Sequence, residues 1–388
     1  MLKGNMLIAH GGGPTPVINS SLLGAVREAK RHPEIETIYG ARFGAEGILA
    51  GDLIDLGAVG EERLDLLART PASAIGSCRR KLTDGDYPAV LDCFKRFNIR
   101  YFFYNGGNDS MDTCHKIYRL ACQSGYELRV IGIPKTIDND LAVTDHCPGF
   151  GSAAKFAAAS ALEAAQDASA LPIHVVVMEL MGRNAGWITA ASALYADLMP
   201  CEHLVYLPET DFDKEAFLSA AREKFARGKG LLVTISEGIH YGDGSPVADS
   251  GVVDGFGHKV PGGAAQTLCD MIMAETGLKA RSEKPGLLGR TSVALMSQVD
   301  QAEAMEAGAC AVRSAVEGET GFMVGFQAER EPAYTCRTCL IPLEQVANAE
   351  KKFPAAWIGE DGASIRPEFK AYCAPLIGAY DCRFVSLR

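Results

Sequence analysis

Asp138 and Asp140 stand two residues apart in the stretch Gly132-Ile-Pro-Lys-Thr-Ile-Asp-Asn-Asp140, with a hydroxyl at Thr136 and an ammonium at Lys135. Carboxylates this close raise at least one pKa, and the lysine lowers it again, which is how a general base is tuned. The apolar run before them (Leu128, Val130, Ile131, Ile133) predicts a buried parallel strand that Pro134 stops. Lys135 to Asp140 would then emerge at the carboxyl end of that strand, where open α/β sheets bind their ligands. An Asx-rich turn without chemistry is the competing reading, since Asp and Asn favour turns.

Three other stretches could meet an anion. Residues 5–10 form a short apolar run that ends in Gly11-Gly12-Gly13, and a helical pattern follows from about Thr15 with Val17, Ile18, Leu22, Leu23 and Val26 on its inner face. Strand, glycine turn, helix aims backbone N–H groups and a helix dipole at a phosphate. The spacing matches neither the dinucleotide fingerprint nor the Walker A loop, so a plain tight turn stays open. Arg79, Arg80 and Lys81 follow Gly76-Ser77, either as an oxyanion site or as a solvated face. The aromatic strand 101–104 leads into Asn105-Gly-Gly-Asn-Asp-Ser110, a second glycine turn whose acidic tip needs a metal or a cation to neutralise it.

Around these stretches, strands and helices alternate. Strands are expected near 36–39, 101–104, 128–133, 173–179, 204–207, 231–235 and 287–293, with helices between them. Gly242–Pro261 reads as a mobile loop. This alternation predicts parallel sheets covered by helices on both faces. A chain of 388 residues with 47% hydrophobic content supplies two such units with a cleft between them. A formal charge of −10 argues against nonspecific nucleic-acid or membrane binding, so an anionic substrate must be drawn in by local positive charge. No apolar run is long enough to span a bilayer, residues 1–10 lack a signal peptide's regions, and a cytoplasmic protein with reduced thiols is expected. Among the twelve cysteines, Cys336-Arg-Thr-Cys339 is a weak zinc or redox signal.

Taken together, these motifs resemble the phosphofructokinase family, and specifically its pyrophosphate-dependent branch. The resemblance runs through the Gly11–Asn19 turn, Gly106-Gly-Asn-Asp-Ser110, Pro134–Asp140, Met181-Gly-Arg183, Ser236-Glu-Gly238, Pro285-Gly-Leu-Leu-Gly-Arg290 and the tail segments Pro342–Asn348 and Pro354–Ile358. It implies two Rossmann-like three-layer α/β/α domains. Residues 1–145 plus 291–340 would bind the donor, and residues 146–290 plus 341–388 the sugar phosphate. It also implies transfer of a phosphoryl group to the 1-hydroxyl of fructose 6-phosphate, with Mg2+ bridging the donor oxygens.

By the same resemblance, Asp138 is the base, and Thr136 and Arg183 hold the transferring group. Gly12, Arg79, Asp109 and Lys135 meet the donor. Met181, Gly182, Glu237 and Arg290 line the sugar-phosphate site. Arg281 would reach the 6-phosphate from a neighbouring subunit, which implies a homodimer or homotetramer. ATP-using relatives carry glycine at the positions of Asp109 and Lys135. Here a carboxylate and an ammonium fill that space and could pair, excluding a nucleotide's α-phosphate and welcoming pyrophosphate.

Four positions depart from the family pattern. Val17 replaces a glycine. Asn108 stands where a magnesium-associated aspartate is usual, and a neutral amide oxygen is a weaker ligand for a hard cation, which shifts the metal toward Asp138 or Asp140. His174 and Leu287 replace two anchors of the sugar's phosphate, so another phosphorylated ketose, such as sedoheptulose 7-phosphate, is an alternative acceptor. The rival functions are an ATP-dependent kinase, a noncatalytic sugar-phosphate or pyrophosphate sensor, and a nicotinamide-dependent oxidoreductase.

Overall fold

A computed structural model describes residues 2–171, 175–228, 230–253, 259–347, 349–385 and 387. The chain divides into two compact units. The first comprises Met1–Ala153, Arg290–Met296 and Asp300–Lys351, and the second Ala154–Gly289, Ser297–Val299 and Lys352–Arg388. The strands, in chain order, are β1 (Gly4–His10), β2 (Ile35–Ala41), β3 (Leu53–Asp55), β4 (Ile99–Gly106), β5 (Arg129–Pro134), β6 (Val175–Leu180), β7 (Glu202–Tyr206), β8 (Leu231–Ser236), β9 (Asp249–Val253), β10 (Lys259–Pro261), β11 (Ala280–Glu283), β12 (Phe322–Glu329) and β13 (Thr335–Pro342).

The first unit is built on a seven-stranded sheet of order β13-β12-β5-β4-β1-β2-β3. Its five central strands are parallel. Sequence alternation reads through β4: Phe102 and Tyr104 enter one core cluster with Phe94 and Met111, while Tyr101 and Phe103 enter the other with Leu22 and Val26. Successive strand residues point to opposite faces, so a strand apolar at every position must be covered on both. The order reverses between β1 and β4, because β2 follows β1 on one side and β5 follows β4 on the other. That reversal opens a crevice at the carboxyl ends of β1 and β4, where α/β proteins place ligands.

Both edges of this sheet are antiparallel, β12 with β13 and β2 with β3, which strand–helix alternation did not anticipate. Cys336 and Cys339 lie on β13, three residues apart, and therefore on opposite faces. Cys339 packs against one core cluster and Cys336 against the other. They cannot form a two-thiol metal or redox pair, and no disulfide joins cysteines among the described residues.

The second unit carries a four-stranded parallel sheet, β11-β6-β8-β7. Trp187, Phe353, Trp357, Phe369 and Tyr372 pack edge-on and tilted against one another in this unit, fastening residues 353–372 to it. Two expectations fail here. The glycine-rich stretch 242–261 contains an antiparallel ribbon, β9 with β10, rather than an unstructured loop. The strand expected at 287–293 is instead β11, several residues earlier, while Leu288–Thr291 forms a helical turn. Pro285-Gly286 ends the extended run before the apolar pair Leu287-Leu288 is reached. Among the described residues, no helix is long and apolar enough to cross a membrane.

Candidate active site

In the first unit, chemistry gathers at the carboxyl ends of β1, β4 and β5. Gly12 sits at φ 76°, a conformation that favours glycine. The turn is fastened by Gly11 N–H to the Asn105 carbonyl (2.9 Å), Gly12 N–H to the Cys78 carbonyl (2.9 Å) and the Ser77 hydroxyl to the Gly12 carbonyl (2.7 Å). The N–H donors of Gly11 and Gly12 are thus engaged within the protein, and the helix starts only at Ile18. The sequence pattern suggested a phosphate cradle of backbone amides. The structure supplies side-chain cations instead.

Three cations reach the turn. The buried Lys135 ammonium donates to the Gly13 carbonyl at 2.7 Å. A methyl group on Gly13 would come within 2.7 Å of an Arg290 guanidinium nitrogen and 3.6 Å of one on Arg79. Arg290, expected with the sugar-phosphate residues, therefore reaches Gly13 of the glycine turn, which the donor residue Arg79 also approaches. Burial pulls the Lys135 ammonium down to about 8, and the charges of Asp138 and Asp140 pull it back up.

The stretch after β5 is pinned residue by residue. Lys135 N–H bonds the Gly106 carbonyl (3.0 Å), Thr136 N–H the Pro148 carbonyl (3.2 Å), and Asp138 N–H the Thr136 hydroxyl (3.1 Å). Asn139 turns the chain at φ 53°. The Asn108 amide nitrogen donates to Asp140 Oδ2 at 3.1 Å. Asn108 Oδ1 and Asp140 Oδ1 are both buried and accept no hydrogen bond. Burial raises the Asp140 pKa, against the hydrogen bond from Thr136. Buried carboxylate and amide oxygens without donors are the kind of atom a hard cation takes as ligand.

The pairing expected between Asp109 and Lys135 is not made. The Asp109 ion partner is Lys81 at 3.6 Å, and both side chains are largely exposed. Asp109 opens the helix Asn108–Gln123, and its side chain turns to solvent while Lys135 turns into the glycine turn.

In the second unit, β6 ends at Met181-Gly182-Arg183, with Gly182 at φ 131°. Glu237 follows β8, and its N–H donates to the Leu180 carbonyl at 3.0 Å. Burial raises the Glu237 pKa, offset by Lys284 and Arg183 and reinforced by Glu179. Lys284 lies 2.5 Å from the buried carboxylate of Glu179, whose other oxygen accepts from Ala265 N–H at 3.0 Å. Glu179 and Lys284 escaped the sequence reading, although Lys284 precedes the Pro285 motif and Glu179 is the charge in an otherwise apolar strand. Arg281 is exposed on the edge strand β11, and Leu287 is 62% exposed. His174 lies outside the described residues.

These two groups of residues match a known family. The phosphofructokinase family model covers residues 5–315. The chain belongs to the phosphofructokinase family. It is 41% identical to a pyrophosphate--fructose 6-phosphate 1-phosphotransferase of Halomonas elongata, over 98% of this chain and 93% of that one. It is 32% identical to a sulfofructose kinase of Alkalicoccus urumqiensis, over 91% of each. Among solved structures it is similar to a pyrophosphate-dependent phosphofructokinase of Nitrosospira multiformis, with a TM-score of 0.89, 37% identity, and coverage of 97% of this chain and 93% of that one.

Proposed function

We propose that the protein is a pyrophosphate-dependent phosphofructokinase, moving a phosphoryl group between pyrophosphate and the 1-hydroxyl of fructose 6-phosphate. The observation that carries the reading is the buried Lys135 ammonium seated on the glycine turn beside Arg79 and Arg290. A compact, highly charged donor without a nucleoside needs such a cluster of cations. The similarity to phosphotransferases named for pyrophosphate and fructose 6-phosphate supports the same donor and acceptor.

Asp138 takes the proton from the 1-hydroxyl, and Thr136 and Arg183 hold the transferring group. Arg79, Lys135 and Arg290 neutralise the donor and Gly12, without a side chain, lets it approach the turn, while Met181, Gly182 and Glu237 orient the sugar and Arg281 reaches its far phosphate from a second copy. Phosphoryl transfer asks for positioning and charge neutralisation rather than covalent help, which this set of residues provides. Asn108 Oδ1 and Asp140 Oδ1 fit a hard divalent cation, and Mg2+ is the cation proposed. When bound, Mg2+ supplies charge neutralisation at the donor oxygens. A homodimer or homotetramer in the cytoplasm completes the proposal.

Acceptor choice is the finer point. Leu287 presents an apolar side chain where the resemblance places a grip on the sugar phosphate, and one relative is named for sulfofructose. The deciding experiment measures turnover with pyrophosphate or ATP as donor, plus Mg2+, against fructose 6-phosphate, sedoheptulose 7-phosphate and sulfofructose. Pyrophosphate with fructose 6-phosphate is expected to be fastest. Faster turnover with ATP overturns the donor, and faster turnover with another sugar overturns the acceptor. Pyrophosphate binding without any turnover would make the protein a sensor.

A further inference from the structure

Residues 137–147 carry Asp138 and Asp140 and contain no helix or strand. Asn139 and Val143 stand at φ 53° and 69° within them, and Val143 is β-branched. Backbone of this kind persists only where its surroundings over-determine it. One restraint comes from a segment far along the chain. Leu141 pairs with Glu350 in a single antiparallel bridge, and the N–H of Lys351 donates to the Asp140 carbonyl at 2.7 Å. The Lys351 ammonium then reaches the Asp145 carbonyl (2.8 Å), the Thr144 carbonyl (3.2 Å) and Asn139 Oδ1 (3.4 Å). Asn139 Oδ1 also accepts from Cys147 N–H at 3.1 Å, so the ammonium closes the loop on itself.

The far side of the loop is held independently. Asp145 N–H donates to the Phe326 carbonyl (3.0 Å), and Phe326 N–H to the Thr144 hydroxyl (2.9 Å). The Asp145 carboxylate takes both arms of Arg330 and one ring nitrogen of His146, whose other nitrogen meets Glu303 at 2.7 Å. His146, Glu303 and Cys336 bring their ligand atoms within 4.8 Å of one another, but both imidazole nitrogens are already spent on carboxylates. That cluster is an ion network and a second anchor for the loop.

A lysine is a costly residue to place here, because burial disfavours its charge and pulls its pKa down. A methionine would fill similar space without that cost. What only the cation provides is simultaneous donation to three acceptors, one within the 138–140 turn and two on the chain that leaves it. We propose that Lys351 is a positioning residue for phosphoryl transfer, holding the 138–140 turn in the geometry its base requires. The proposal rests on Asp138 being that base.

The test uses the full chain with Lys351→Met, Lys351→Arg and, as an independent probe of the opposite anchor, Thr144→Val. Misplacing a catalytic group by about 1 Å can cost on the order of a hundredfold in rate. The expected result for Lys351→Met is a kcat lower by roughly 30- to 100-fold with the KM for pyrophosphate changed less than about threefold. Hydrogen exchange should quicken within 137–147 and remain unchanged elsewhere. Lys351→Arg should recover about tenfold of the loss, and Thr144→Val should show the same split in weaker form. A kcat within about threefold of wild type for Lys351→Met overturns the proposal. So does a loss shared by kcat, KM and melting temperature with exchange raised throughout the chain. Should Lys351→Met fail to fold, an unchanged kcat in Thr144→Val overturns it as well. Asp138→Ala with full turnover would instead sink the assignment of the base, a failure that the Lys351 exchange data do not share.

Discussion

The carboxylate of Asp109 lies 3.6 Å from the ammonium of Lys81, on the solvent side of its helix, while Lys135 bonds the carbonyl of Gly13. The two residues proposed to select the donor therefore act separately. Exposed ion pairs of the Asp109–Lys81 kind contribute about 0–1 kcal/mol, so Lys81 releases Asp109 at little cost. Asp109→Gly should raise ATP use while leaving pyrophosphate turnover largely intact, and Lys135→Gly should weaken pyrophosphate use. In a double-mutant cycle on kcat/KM the coupling should stay below about 0.5 kcal/mol. A coupling of several times that value would mean that the residues pair during catalysis.

Lys135 gives the protein a pH dependence with two opposite signs. Its ammonium, pulled down by burial to about 8, is charged at pH 7 and mostly neutral at pH 9. The KM for pyrophosphate should rise roughly tenfold across that window in the wild type. In Lys135→Met it should be high and flat. Stability runs the other way, because the folded pKa lies below the unfolded value of about 10.4. The folded state resists the charge most below pH 8, and the penalty fades as pH climbs from 8 toward 10.4. Lys135→Met should therefore melt higher than wild type at pH 7, with the gap closing above pH 10. A variant that is less stable at pH 7 contradicts this account.

How far the sequence could be read depended on the kind of physics involved. β4 and β5 were legible because a run apolar at every position can only be buried on both faces, and Pro134 marked where the chain must leave the sheet. Asp138 and Asp140 followed from that exit. The antiparallel edges were not legible, since an edge strand such as β13 alternates weakly and the short turn at residues 330–334 that joins it to β12 holds no glycine, asparagine or aspartate to mark a hairpin. Lys351 was invisible because its partners lie some two hundred residues earlier in the chain. Nothing local to it mentions Asp140, and only the folded chain brings its N–H to that carbonyl. Glu179 and Lys284 show a further limit: a charge in an apolar strand signals a partner without naming it.

Two glycines in the first unit carry a prediction about stability. A methyl group on Gly24 would meet the Met305 carbonyl oxygen at 1.9 Å, and one on Gly308 would meet the Ser21 carbonyl oxygen at 2.0 Å. The helices Ile18–Ala29 and Gln298–Glu317 thus touch backbone to backbone at this crossing. Helix propensity alone says that Gly24→Ala should stabilise by up to about 1 kcal/mol. Overpacking a rigid contact costs about 1–3 kcal/mol and should win. Urea unfolding of Gly24→Ala is expected to show a lower midpoint. A higher one would mean that the helices can move apart at little expense.

Asn108 makes the last prediction, because its amide does two jobs that a carboxylate could not share. Its nitrogen donates to Asp140 Oδ2 at 3.1 Å, and its oxygen, like Asp140 Oδ1, is buried without a donor. Asn108→Asp would replace the donor by a second anion against Asp140. Without a cation, two carboxylates in contact repel, so the variant should melt several degrees below wild type at pH 7 in the presence of a chelator. With a cation the same pair becomes the stronger ligand set, since a charged oxygen binds Mg2+ better than an amide oxygen. Added Mg2+ should raise the melting temperature of the variant more than that of the wild type, and half-maximal activity should require less of it. Equal responses in the two proteins would place the cation elsewhere, and the orphaned oxygens would then need another partner.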